Sequence, residues 1–341
     1  MKRTVMALML VVAAVASFAS TETFAAQSPD TSFASRCAAS GVVQCVGFEE
    51  WVGRSFPPAC GSSGWPSTNG QCYNSAADGK SHAFLDQSVY ASGDGAGHNA
   101  ALRLDATNVS DASITGDYFI GWPQQFGQNS HYYVQYRLRL HGFATGASPW
   151  TSPNIGGDGW KTSLFAGING PLCGNIELTT VNFGYENKVR LYTRCSNSQN
   201  DNFEFSDGSG GFNQQQGNFL CKYEDTNVQA HCALFHGDAW MTLYYDIQIG
   251  TYGSANSNIK AYVDYGDGKG YQQWINAPNY TLSGPGSYGL TDFTMYTTGK
   301  SNATPSPATY SAWYDEFILS TQPIASPGTT APNPPSLLQA N

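Results

Sequence analysis

A chain of 341 residues with 16 Lys and Arg against 25 Asp and Glu carries a formal net charge of −9, and no stripe or cluster of basic residues runs along it. That excludes a nucleic-acid partner, whose phosphates demand grouped cations. Only 12% of the residues are charged while Gly numbers 37 and Tyr 20, a balance that suits an exported β-protein with a polar but largely uncharged surface.

The chain opens on Met1-Lys2-Arg3, an apolar run from Val5 to Ala16, and small residues at Ser17-Phe18-Ala19 and Thr23-Phe24-Ala25. A basic start, a short greasy stretch and a small-x-small site predict a secretory signal peptide over residues 1–25. The run is shorter than the ~20 apolar residues of a spanning helix, so no membrane association is expected. Secretion or a periplasmic location follows. Cys37, Cys45, Cys60, Cys72, Cys173, Cys195, Cys221 and Cys232 form an even set without a CxxC spacing, which argues for disulfides over a zinc site. Their order falls into four local couples, 37 with 45, 60 with 72, 173 with 195 and 221 with 232.

Strands are predicted at Ala100 to Leu104, Tyr132 to Leu140, Trp160 to Ile168, Ile176 to Val181, Val189 to Tyr192, Met241 to Ile249, Ile259 to Tyr265, Tyr288 to Thr297 and Trp313 to Ser320. Tyr132 to Leu140 shows the pattern cleanly, with Val134, Tyr136, Leu138 and Leu140 on one face and Tyr133, Gln135, Arg137 and Arg139 on the other. Gly, Asn, Asp or Pro bounds each run, as turns require. The Asp267-Gly268-Lys269-Gly270 stretch reads as a hairpin turn rather than a calcium loop. No long window holds an apolar period of 3.6, and no repeat of propeller-blade length recurs. The expected fold is therefore all-β, a jelly-roll sandwich of two antiparallel sheets in one domain over residues 26–324. Residues 325–341, rich in Pro, Ser and Thr, read as a disordered tail or linker.

Several segments resemble the jelly-roll superfamily of concanavalin A-like lectins, glucanases and secreted bacterial polysaccharide lyases. They are Cys45-Val46-Gly47-Phe48-Glu49, Tyr133-Val134-Gln135-Tyr136-Arg137, Gly159-Trp160-Lys161, Ile176-Glu177-Leu178, Trp240-Met241-Thr242, Tyr296-Thr297-Thr298-Gly299-Lys300 and Trp313-Tyr314-Asp315-Glu316. The resemblance implies that the first and last strands pair, bringing Phe48 and Phe317 into the core, and that a concave sheet face forms a glycan groove. Jelly-roll alginate lyases carry R-(S/T)-E-x-R, Q-I-H and Y-F-K-A-G-x-Y strands. The corresponding stretches here are Gln135-Tyr136-Arg137-Leu138-Arg139, Lys161-Thr162-Ser163 and Met295-Tyr296-Thr297-Thr298-Gly299, which keep an arginine and a tyrosine but not the histidine. The E-x-D-x-x-E strand of the laminarinase-like branch is missing. By the same likeness Glu49 and Asp315, near the paired chain ends, are candidate ligands of a structural calcium, or else acids that face solvent.

The side chains that carry chemistry group around this frame. Gln135 and Arg137 share a strand face with Arg139, where they could hold a uronate carboxylate by charge-assisted hydrogen bonds or form an ordinary solvated face. Neutralising that carboxylate lowers the cost of the carbanion-like state of β-elimination. Lys161, Arg190, Arg194 and Lys300 extend the basic content, as a positive groove if they lie on the concave face or as solubilising charges if they do not. Glu177, inside an apolar strand, is either a general acid or base or the partner of a nearby arginine. A glycosidase would need a second carboxylate, for which Asp246 and Asp264 are candidates. Tyr192 and Tyr296 are each either a proton-transferring tyrosine or a structural or sugar-stacking ring. Together these residues point to a monomeric polysaccharide lyase acting on an anionic, uronate-containing polymer without a required cofactor. A non-catalytic glycan-binding protein and a glycoside hydrolase are the alternatives.

Overall fold

The computed structural model describes residues 32–76, 78–90, 98–107, 116–141, 160–167, 177–182, 189–194, 233–282, 289–298 and 309–327. The predicted signal peptide, Lys300 and four of the cysteines lie outside them. In chain order come a one-turn helix α1 (Phe33–Cys37), β1 (Val42–Val46), a 3-10 turn (Glu49–Trp51), β2 (Gln71–Asn74), β3 (Ala83–Asp86), β4 (Ala101–Thr107), β5 (Asp117–Gly127) and β6 (His131–His141). They are followed by β7 (Trp160–Ala166), β8 (Glu177–Asn182), β9 (Arg190–Arg194), β10 (Trp240–Gln248), β11 (Ala255–Asp264), β12 (Gln272–Thr281), β13 (Gly289–Thr298) and β14 (Thr309–Ser320).

Alternation along these strands builds two antiparallel sheets. The larger runs β12-β11-β10-β6-β14-β4-β3 with β1 also on β14; the smaller runs β2-β5-β13-β7-β8-β9. On β6, Tyr132, Val134, Tyr136, Leu138 and Leu140 are fully buried in the space between the sheets. They meet β7 and β13, whose Phe165 and Phe293 face back; the Tyr136 and Phe293 rings are centred 4.9 Å apart and those of Phe165 and Tyr245 5.1 Å apart. Buried hydroxyls find partners across the same gap, Tyr136 with Ser163 Oγ at 2.8 Å and Tyr314 donating to the Thr162 carbonyl at 2.6 Å. The architecture is the expected two-sheet jelly roll. Chain ends pair as well: β1 lies against β14 with Val46 opposite Phe317, and Phe48 and Phe317 both sit in the central core.

Besides β1, which only the resemblance implied, four strands lie outside the predicted runs, for physical reasons. β2 and β3 are four residues each, too short to show alternation. β5 contains Pro123, tolerated because the register with β13 slips there: Leu290 faces Phe126 while Asp292 faces Gly121, so the proline occupies a bulge. β12 holds Pro278 and is an edge strand, the place where a missing N–H costs least. The turn before it is the expected hairpin, with positive φ at Gly266, Gly268 and Gly270.

A second, thinner layer covers the outer face of the larger sheet. Tyr133, Tyr244, Tyr262, Ile318 and Ile324 cluster there under Phe33 and Cys37 of α1. Residues 325–327, expected to be loose, are held against this layer: the Ala325 carbonyl accepts from Gln135 Nε2 at 2.9 Å, and buried Ser326 donates to Asp264. Disulfides Cys37–Cys45 and Cys60–Cys72 tie α1 to β1 and the following loop to β2. Both are couples anticipated from sequence order, and they indicate an oxidising compartment. Among the described residues no helix is long and apolar enough to cross a membrane.

Candidate functional site

Register decides which candidate residues meet. On the smaller sheet Lys161 of β7 pairs with Val181 of β8 and with Thr298 of β13. Glu177, Thr179 and Val181 of β8 stand opposite Arg194, Tyr192 and Arg190 of β9. Directly opposed and alternate residues share a face. Since Phe293 and Phe165 point to the core, the opposite face is that of Asp292, Thr294 and Leu164, which Thr179 continues. By the same parity Glu177, Arg190 and Tyr192 occupy positions on that face, joined by Lys161 through its pairing with Val181, while Tyr296 lies on β13 where the register with β7 slips. Glu177 and Asn182 fall on opposite faces of β8, whose pairing with β9 is regular.

Gln135, Arg137 and Arg139 are on β6 of the larger sheet, so the expectation of one cleft shared with Lys161, Glu177 and Tyr296 is corrected. The two groups lie on opposite outer faces of the sandwich, because β6 pairs with β10 and β14 rather than with β7 or β13. Nor is the Gln135 and Arg137 face an open groove at these residues. Gln135 is fully buried, accepting from Arg36 and donating to Tyr271 Oη and the Ala325 carbonyl. Arg137 donates to Glu316 Oε1 at 3.0 Å and stacks on Trp240 at 5.0 Å. Asp246 and Asp264 are on the larger sheet too, separated from Glu177 by the core. A hydrolase pair of Glu177 with either is therefore not formed.

Around Arg137 the sequence builds a charged cluster that local reasoning missed. The β14 register slips between Asp315 and Ile318, and Glu316 adopts a left-handed φ of 50°, so two successive acids are kept on one side of the sheet. Glu316 accepts from Arg36 and Arg137, and lies 3.1 Å from His98 Nε2. His98 Nδ1 is 3.0 Å from Glu49 and 3.4 Å from Asp315, which also accepts from Tyr90 Oη. Burial alone would raise the Glu316 carboxyl, yet Arg137, His98 and Arg36 hold it well below its usual range. Burial depresses His98, but its bonds to Glu316 and Glu49 and the nearby acids lift it to about 10, so the imidazole is protonated at neutral pH. Asp315 is pushed well up by burial, against the pull of His98.

Glu49, His98 and Asp315 offer ligand atoms within 4.8 Å of one another, which brings the two expected calcium ligands together with a histidine. The donor set does not fit calcium, which takes six to eight oxygens. Here one of the three donors is a histidine nitrogen, and Tyr90 occupies one Asp315 oxygen. His98 was legible only as an isolated histidine, since its partners are 49 residues before it and over 200 after it.

One residue on the smaller sheet also escaped notice. Asp292 is fully buried between Gly121 and Ala166, accepting, among the described residues, from the hydroxyls of Thr294 at 3.2 Å and Thr291 at 3.4 Å. Burial pushes its carboxyl up to about 8, so it is largely protonated at neutral pH. The loop from Cys60 to Cys72 crosses above it, where a Cβ on Gly121 would stand 2.3 Å from the Ser67 carbonyl oxygen. An aspartate among Leu290, Phe293 and Met295 was the available signal.

Comparison with known proteins agrees with this architecture. No protein-family model matches the chain, and no curated protein matches it in sequence. Among solved structures the chain is similar to a PL-14 alginate lyase from Aplysia kurodai, with a TM-score of 0.51 and 13% identity over 82% of this chain and 99% of that one. An endo-β-1,4-glucuronan lyase from Trichoderma reesei aligns at 0.44 and 11% identity over 76% and 99% of the two chains. An alginate lyase from Chlorella virus aligns at 0.38 and 10% identity over 65% and 84%. The first supports the fold, a jelly roll of two antiparallel sheets; the weaker alignments carry no argument of their own.

Proposed function

We propose that this protein is a secreted or periplasmic polysaccharide lyase that cleaves a uronate-containing polymer on the outer face of the smaller sheet. The observation that carries the reading is the register that sets Lys161, Glu177, Arg190 and Tyr192 on one sheet face, beside the strand of Tyr296, in a fold like that of an alginate lyase. In β-elimination a base removes the proton from the carbon that bears the carboxylate. The electron pair forms a C=C bond and the glycosidic oxygen departs with a proton. Tyr296 transfers protons, Lys161 and Arg190 neutralise the carboxylate, and Tyr192 and Lys300 contact sugar. Glu177, opposite Arg194, orients that arginine or serves as the second acid–base group. Arg137, committed to Glu316 and Trp240, takes no part.

The ultraviolet absorbance of the unsaturated product tests this directly. Incubation with alginate, polygalacturonate and glucuronan is expected to generate it from at least one polymer, and Tyr296→Phe to lower the rate by about 100-fold or more. No product from any polyuronate, with the chain shown to be folded, would overturn the reading. The Lys161-Thr162-Ser163 stretch, which lacks the histidine of alginate lyases, favours a second reading as a glycan-binding protein without turnover. Binding to a polyuronate without product would select it.

A further inference from the structure

Across the outer face of the larger sheet, aromatic and arginine side chains alternate in register over five strands. Phe84 on β3 stands opposite Arg103 on β4, Arg103 opposite Trp313 on β14, Trp313 opposite Arg139 on β6, and Arg139 opposite Trp240 on β10. Neighbouring strands are about 4.8 Å apart, so the row is roughly 19 Å long, the reach of a short oligosaccharide. The arginines lie over the rings: Arg103 Cζ is 4.9 Å from the Phe84 centroid and Arg139 Cζ 5.2 Å from that of Trp313. Val89, Tyr90 and Ala101 back the two indoles, with Tyr90 stacked on Trp240 at 5.4 Å. Both tryptophans remain partly exposed, and Phe84, 40% exposed, is one of the two large exposed apolar side chains among the described residues.

The charges along this row are not evenly answered. Arg103 is held by Asp86 and Asp105, and neighbouring Arg137 by Glu316. Arg139, between the two tryptophans, has no carboxylate partner among the described residues; its Nε and the Trp240 Nε1 beside it are buried without a hydrogen-bond acceptor among them. A guanidinium over an indole can offer its donors to a planar carboxylate, and partly exposed aromatic rings stack against the apolar side of sugar rings. We infer that this row is a second carbohydrate site, separate from the cleavage face, that binds an acidic oligosaccharide segment with Arg139 on its carboxylate. The choice of occupant rests on the polyuronate reading above; the site itself does not depend on cleavage.

Affinity electrophoresis of the full chain in gels containing alginate, with dextran as the neutral control, tests it. The wild-type chain should be retarded by alginate alone, less so as salt is raised. Phe84→Ala, Trp313→Ala and Arg139→Gln should each weaken the apparent affinity by about tenfold, corresponding to ~1.4 kcal/mol. Tyr296→Phe should be retarded like wild type, and Phe84→Ala should cleave short uronate oligomers at the wild-type rate. Retardation of the wild-type chain without product, weakened by Phe84→Ala and Arg139→Gln, would leave this site standing even where the lyase reading failed. Absence of retardation in every polyuronate gel, or equal retardation of the exposed-site variant Phe84→Ala and of Arg139→Gln with wild type, would overturn the inference. Circular dichroism of each variant separates lost binding from lost fold.

Discussion

Asp292 shows how far a single buried group can depart from its ordinary chemistry. Two hydroxyl donors do not replace the water its carboxylate would have, so the proton stays on to a pH of about 8. In the unfolded chain the same group ionises near 3.8. Folding stability from this residue is therefore greatest below that value and declines as pH rises toward 8, because only the unfolded chain releases the proton freely. Asp292→Asn keeps the shape and removes the titration. Thermal unfolding of the variant should match wild type near pH 4 and exceed it by several degrees at pH 8 and above; an equal difference at both pH values would refute the assignment. The Glu316, His98, Arg36 and Arg137 cluster is the opposite case, with charges kept by mutual pairing. Sequence reading offered Arg137 as a carboxylate binder or part of a solvated face and not as the partner of Glu316, because Arg36, His98 and Glu316 are remote in the chain and no local pattern links them.

Among elements, the legible ones are those whose core-facing positions recur every second residue. β6 and β10 keep that spacing over nine or more residues each, with the inward side chains in the central core, and β14 keeps it up to the slip at Asp315. β5 and β12 were hidden by Pro123 and Pro278, which are permitted only because a bulge and a sheet edge receive them, facts about neighbours rather than about the strands themselves. The loop bounded by Cys60 and Cys72 shows what such elements rest on. Its Trp65 packs on Phe119 of β5, and it shields Asp292's neighbour Gly121, yet it has little regular structure of its own. Closing a loop with a sequence separation of 12 is worth about 3 kcal/mol in chain entropy. Replacing both cysteines by serine should lower the unfolding free energy by that order in a denaturant titration, and unchanged stability would show that the bond constrains nothing. The larger effect should be local, with faster amide exchange in β2 and β5.

For the molecule as a whole, two sheets with one aromatic core between them account for stability, and their outer faces are left to diverge. Phe293 sits at the centre of that core, within 4.9 to 5.2 Å of Tyr136, Phe165 and Phe317 by ring centroid. Phe293→Ala should cost about 3–5 kcal/mol, read from chemical unfolding, since truncation there leaves a cavity that both sheets must move to fill. A loss below about 1 kcal/mol would mean that the sheets do not pack as described. The outer faces differ in character: the smaller sheet offers the lysine, arginine and tyrosine positions of the proposed cleavage site, while the larger is partly roofed by α1 and the segment after β14 and presents the aromatic–arginine row.

From the sequence alone came the all-β class, the export signature and the apolar side of each long strand, because alternation and turn chemistry act over a few residues. Which strands become neighbours is set by pairings across scores of residues, and only the tertiary structure decided it. That is why Arg137 and Lys161, similar on paper, stand on opposite sides of the sandwich, and why Glu49, His98 and Asp315 converge from three distant stretches.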